Sequence, residues 1–159
     1  MYKTILIPTD GSDLSAETAL AGVEFARQNR AEVIGIFVAP VFRHPVYVDM
    51  TASGYPSQAE YQESLRKEAE ACLGTIQKAA EAAGVKFSGV TVFSDAVAHE
   101  IVLAAQEKAC DLIFMGSHGR SGWGQAILGS VTNKVLSSCQ IPVLVHRLKK
   151  EPAVQTPKV

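Results

Sequence analysis

Five glycines, Gly116, Gly119, Gly122, Gly124 and Gly129, fall between a short apolar run and a helical segment opening at Ser130. Glycine has no Cβ, so the backbone there can approach an anion closely and take positive φ. A helix start at Gly129-Ser130 adds main-chain N–H groups with no intrahelical acceptor, and with them the positive end of the helix dipole. Bare amides at the end of a glycine-rich loop are the chemistry of phosphate binding. Ser130 as a plain N-cap would use the same geometry, so the two readings overlap.

The spacing is Gly116-x2-Gly119-x9-Gly129-Ser130. It is not a P-loop, which sets a lysine between its last glycine and the hydroxyl residue, whereas Ser130 follows Gly129 directly. It is not the dinucleotide GxGxxG either, because Gly122-x-Gly124 is followed by Ile127. His99-Glu100 could begin a zinc-protease helix, but Leu103 stands where the second histidine must be. No structural metal site is expected. Cys72, Cys110 and Cys139 are odd in number and form no CxxC pair, so they read as small core residues rather than a disulfide or redox set.

These residues need a scaffold that holds the loop after a buried strand. Thr4-Ile5-Leu6-Ile7-Pro8 is β-branched and does not alternate, as in a strand buried on both faces of a parallel sheet. Thr9 to Asp13 is a cluster of turn and N-cap residues, in which Asp10 reads either as a turn residue or as a ligand group. Residues 15–29 carry Ala16, Ala19, Leu20, Val23, Phe25 and Ala26 at helical spacing. Val33 to Val38 is a second buried strand, which completes a βαβ unit with an expected right-handed crossover. Pro40, Pro45, Gly54 and Pro56 make 40–57 a long loop, with Phe42, Tyr47 and Tyr55 inside it. Further helices are predicted over 58–83, capped by Gly84, over 96–109 and over 130–138. Further strands are predicted over 86–93, near a sheet edge, over 111–116 and over 142–146. The helix at 96–109 has Val97, Ile101, Val102, Ala105 and Ala109 on one stripe. Strands alternating with helices imply a doubly wound α/β sheet with helices on both faces.

Bulk composition agrees. A chain of 159 residues, 47% hydrophobic, is one domain's worth and can bury its own core. With 15 Lys+Arg against 16 Asp+Glu, it lacks the cationic excess that nucleic-acid binding draws on. No run approaches the roughly 18 apolar residues of a membrane span. The start, Met1-Tyr2-Lys3 then Thr4 to Ile7, is not a signal peptide. A cytoplasmic protein is expected, with one nucleotide-binding domain over 1–147 and a disordered tail over 148–159.

The glycine pattern, together with Ile5-Leu6-Ile7-Pro8-Thr9-Asp10-Gly11-Ser12, Asp111 to Gly119 and Pro142-Val143-Leu144-Val145, resembles the ATP-binding branch of the universal stress protein (UspA) superfamily. The resemblance spans about residues 2–147. It implies a five-stranded parallel sheet in the order 3-2-1-4-5. Strands one and four are then neighbours at the topological switch point, where ligands bind at the carboxyl ends of strands. It also implies a site. Pro8, Thr9 and Asp10 would face the crevice, with Asp10 at the ribose. The backbone of Val38 would meet the adenine, and Met115 and Gly116 would form the floor. Gly119, Gly129, Ser130, Val131 and Thr132 would hold the phosphates of ATP, with Mg²⁺ or Mn²⁺ as counter-ion. His118 and Arg120 could add charge nearby.

The resemblance implies a nucleotide-dependent regulatory module in stress response, with no catalytic residue assigned. The alternatives are a slow Mg²⁺- or Mn²⁺-dependent ATP hydrolase and a ligand-free structural stress protein. A final strand at 142–147 would be an apolar sheet edge, which demands a partner, and a homodimer through it is expected.

Overall fold

The computed structural model describes residues 1–43, 56–118 and 128–147. The expectations for Tyr47, Tyr55, Gly119, Arg120 and the tail 148–159 lie outside those residues. In chain order the elements are β1 (Thr4–Thr9), α1 (Asp13–Asn29), β2 (Glu32–Ala39), α2 (Gln58–Ala82), β3 (Phe87–Phe93), α3 (Val97–Glu107), β4 (Leu112–Gly116), α4 (Ser130–Ser138) and β5 (Val143–His146). The five strands form one parallel sheet in the order β3-β2-β1-β4-β5. This is the doubly wound fold, with β1 at its centre.

The absence of alternation in β1 now has a cause. Ile5 and Ile7 face the side covered by α1 and α2, among Val23, Ala26, Ile76, Ala80 and Phe114. Leu6 faces the other side, among Ile36, Ile101, Ala105, Ile113 and Val135. Each of these strand residues is fully buried. Burying one such side chain stabilises the fold by about 1.5–3 kcal/mol. The start of β1 is held to β4 by a side chain. The Asp111 carboxylate accepts from the Lys3 amide at 2.8 Å and from the Thr4 amide at 3.1 Å.

The local signals set the helix ends with small departures. α1 begins two residues earlier than its apolar spacing suggests, because Ser12 is the N-cap and its hydroxyl accepts from the Ser15 amide. α2 opens with a capping box in which Ser57 and Glu60 bond each other's backbone amides. Its C-cap is Ala83 rather than Gly84, which sits one residue beyond in the left-handed region at φ 67°.

Two stripe assignments need correction. Leu20 is 50% exposed, while Ser15, Thr18 and Gly22 are buried on α1 instead. The helix lies so close to the sheet that a Cβ on Gly22 would stand 2.7 Å from the Ile7 Cδ1 atom, so small residues line the contact. Ala109 is exposed past the end of α3, at φ 51°, and serves the turn into β4. No helix among the described residues is long and apolar enough to cross a membrane.

Candidate functional site

A cleft of about 510 Å³ opens at the carboxyl ends of β1, β2 and β4. Its lining gathers Pro8, Thr9, Asp10, Val38, Met115, Gly116, Gly129, Ser130, Val131 and Thr132. These come from segments far apart in sequence, and the reversal of strand order at β1 brings them together. Gly119 falls in the segment that is not described. His118 is also in the lining.

The β1 side of the cleft is a tight turn built from hydroxyl groups. The Gly11 amide donates to the Thr9 hydroxyl at 3.3 Å, and the Thr9 and Ser15 hydroxyls lie 3.1 Å apart. The Ser15 hydroxyl donates to the Ser12 carbonyl at 2.9 Å. That last bond uses the proton of Ser15, so Thr9 is the donor between the two hydroxyls. Thr9 and Ser15 are both buried and both satisfied. Above them Asp10 accepts from the Ser12 amide at 3.0 Å and the Ser12 hydroxyl at 2.6 Å. Asp10 is therefore a turn residue by its bonds and a cleft residue by its position.

The β4 side is the glycine-rich segment and the start of α4. The Gly129 amide donates to the Ser117 carbonyl at 2.8 Å, and the Ser117 amide donates to the His146 carbonyl on β5 at 2.9 Å. The Thr132 hydroxyl donates to the Gly116 carbonyl at 3.0 Å, which ties the first turn of α4 to the end of β4. Gly129 is demanded here by proximity. A Cβ would meet the Ser117 carbonyl oxygen at 3.2 Å and the His118 Cα at 3.3 Å.

Gly129 is the N-cap of α4 and Ser130 the first helical residue. Unlike Ser12 and Ser57, the cap of α4 supplies no side-chain acceptor to the first turn. The amides of that turn have no intrahelical acceptor, and Ser130, Val131 and Thr132 border the cleft. An anion placed there would meet oriented N–H donors and the positive end of the dipole.

The β2 side is mostly apolar, and apart from Val38, which the resemblance implied, it was not legible in the sequence. Ile36, Phe37 and Pro40 join Val38, α2 contributes Leu65 and Glu68, and α3 contributes Val97 and Ile101. A clasp holds this rim. The Val41 amide donates to Asp95 at 3.3 Å, and the Arg43 Nε donates to the same carboxylate at 3.1 Å. The Arg43 guanidinium holds the Asp95 carboxyl below its ordinary pKa. Phe42 packs on Tyr61 of α2, with ring centroids 5.3 Å apart. No sequence signal joins α2 to the cleft, because the helix is placed there by tertiary packing, with Ala69 and Leu73 buried against Phe37 and Ala39.

Comparison with known proteins identifies the lineage. The universal stress protein family model matches residues 1–147. The chain is 38% identical to universal stress protein MJ0531 of Methanocaldococcus jannaschii, over 95% of this chain and 85% of that protein. The solved structure of MJ0577, a universal stress protein of the same organism, superposes with a TM-score of 0.75 at 29% identity, over 95% of this chain and 99% of the other. A universal stress protein solved in complex with cAMP shares the fold at a TM-score of 0.65 and 22% identity, over 92% of this chain and 97% of the other. This chain belongs to the universal stress protein family.

Proposed function

We propose that the chain binds an adenine nucleotide, ATP, in this cleft and acts as a nucleotide-dependent regulatory module in stress response. One observation carries the reading. The start of α4, whose Gly129 cap offers no side-chain acceptor, opens onto an apolar floor at the β1/β4 switch point, so a single cleft joins an anion cradle to a seat for a flat ring. Its volume of about 510 Å³ is that of a small-molecule site. The family relative in complex with cAMP shows that this fold can seat an adenine nucleotide.

In this reading the phosphates meet Gly129, Ser130, Val131 and Thr132, with Gly116 beneath and Gly119 contributing from the glycine-rich segment. Asp10, with Pro8 and Thr9, faces the ribose. The backbone of Val38 meets the base, and Met115 packs below it. Mg²⁺ or Mn²⁺ accompanying the nucleotide takes oxygen ligands, for which Asp10 is the carboxylate at the β1 end. We propose binding with slow turnover at most. Phosphoryl transfer needs cations around the γ-phosphate and an oriented water. The polar groups of the described lining are amides, hydroxyls, His118 and the carboxylates of Asp10 and Glu68.

Titration calorimetry with ATP tests the reading, alongside mass spectrometry of the denatured protein for co-purified nucleotide. Saturable binding of one ATP per chain is expected. Heat-silent titration at millimolar ATP, with no nucleotide carried through purification, would overturn it.

We also propose a cytoplasmic homodimer formed through 142–147. β5 is an edge strand and its residues Val143 to His146 are only half-buried in the single chain. Val145→Pro should shift the mass in solution to that of a monomer, and an unchanged dimer would refute this interface.

A further inference from the structure

The cleft has two chemically opposite ends. At one, the open amides of α4 border it beside β4. At the other stand β2 and the α2 side chains Leu65 and Glu68. β2 and β4 lie on opposite sides of β1, and α2 packs over the β2 end, where Ala69 and Leu73 bury against Phe37 and Ala39. Glu68 therefore borders the cleft away from the anion cradle. A carboxylate accepts and does not donate, with about four lone-pair directions, so it can hold more than one donor. A carboxylate repels phosphate, so the ligand has one favourable direction, with its phosphates at α4 and its ring at α2.

We propose that Glu68 is the residue that determines base specificity. It accepts a hydrogen bond from the exocyclic amine of a 6-aminopurine and rejects a 6-oxopurine. The inference rests on the nucleotide reading above and deepens it. A 6-oxo group would set an acceptor against an acceptor, leaving both unpaired beside Leu65, which borders the cleft from the same helix. Partly apolar walls make such a mismatch costly, because water cannot easily replace the missing donor.

The experiment titrates ATP and inosine triphosphate, which carries oxygen in place of the amine at C6, into the wild-type protein and Glu68→Gln. A glutamine amide can turn to offer either an acceptor or a donor, and glutamine suits a helix as well as glutamate does. Circular dichroism should therefore be unchanged. Wild type should prefer ATP by roughly tenfold or more, the yield of one charge-assisted hydrogen bond, and Glu68→Gln should bring the two affinities together. Equal affinities in wild type, or an undiminished ATP preference in Glu68→Gln, would overturn the role of Glu68 while ATP binding stands. Failure of wild type to bind either nucleotide would remove the nucleotide reading and this inference with it.

Discussion

Gly129 and Ser117 are joined by one main-chain hydrogen bond of 2.8 Å, which forms a neck between the end of β4 and the start of α4. The neck is the point where β4, β5 and α4 meet, because Ser117 also donates to the His146 carbonyl and Thr132 reaches back to Gly116. The position of the first α4 amides in the cleft depends on it.

Gly129→Ala should therefore act on the site before it acts on the fold. The added carbon meets backbone atoms, at 3.2 Å from the Ser117 oxygen and 3.3 Å from the His118 Cα, and backbone cannot swing aside as a side chain can. We expect a loss of about 1–3 kcal/mol in stability from overpacking. ATP affinity should fall at least tenfold by calorimetry. Unchanged affinity would mean that the α4 amides do not hold the phosphates.

Asp111→Ala should do the reverse. It removes the acceptor for the Lys3 and Thr4 amides at the end of the sheet remote from the cleft. We expect about 1–2 kcal/mol of lost stability in urea unfolding, with ATP affinity unchanged.

Cys110 should be the slowest thiol to alkylate. It is buried, and burial first, then the charges of Asp111 and Glu32, push its thiol up to about 11. Cys72 and Cys139 are half-buried. A thiol that stays protonated in the folded chain contributes stability below its ordinary pKa of 9.0, lost as pH rises towards 11. Stability should accordingly fall more steeply between those values in wild type than in Cys110→Ala, measured by urea unfolding at each pH.

Ala109→Gly should stabilise the protein. Ala109 is exposed and holds φ 51°, where a Cβ is strained by about 1–2 kcal/mol. Part of that relief is offset by the greater freedom of glycine in the unfolded chain, so a gain of about 0.5–1 kcal/mol is expected. A lower melting temperature would contradict it.

The sheet was legible because Ile5, Leu6 and Ile7 form an apolar run too short for a helix, and parallel burial on both faces is what such a run satisfies. The anion end of the cleft was legible because glycine spacing and a helix start are local signals. The β2 end was not. Leu65 and Glu68 reach the cleft only through the tertiary path of α2, and nothing within their own segment records that path. Leu20 misled for a related reason. Periodicity weighs apolar side chains, whereas the tight contact of α1 with Ile7 and Phe114 admits only small ones such as Gly22.

The hydrogen-bond chain from the Gly11 amide through the Thr9 and Ser15 hydroxyls to the Ser12 carbonyl runs in one direction only, since each proton has a single destination. Its buried hydroxyls already satisfy one another without a guest. Under the proposed function the β1 flank would need little ordering, and a nucleotide would forfeit little affinity to it.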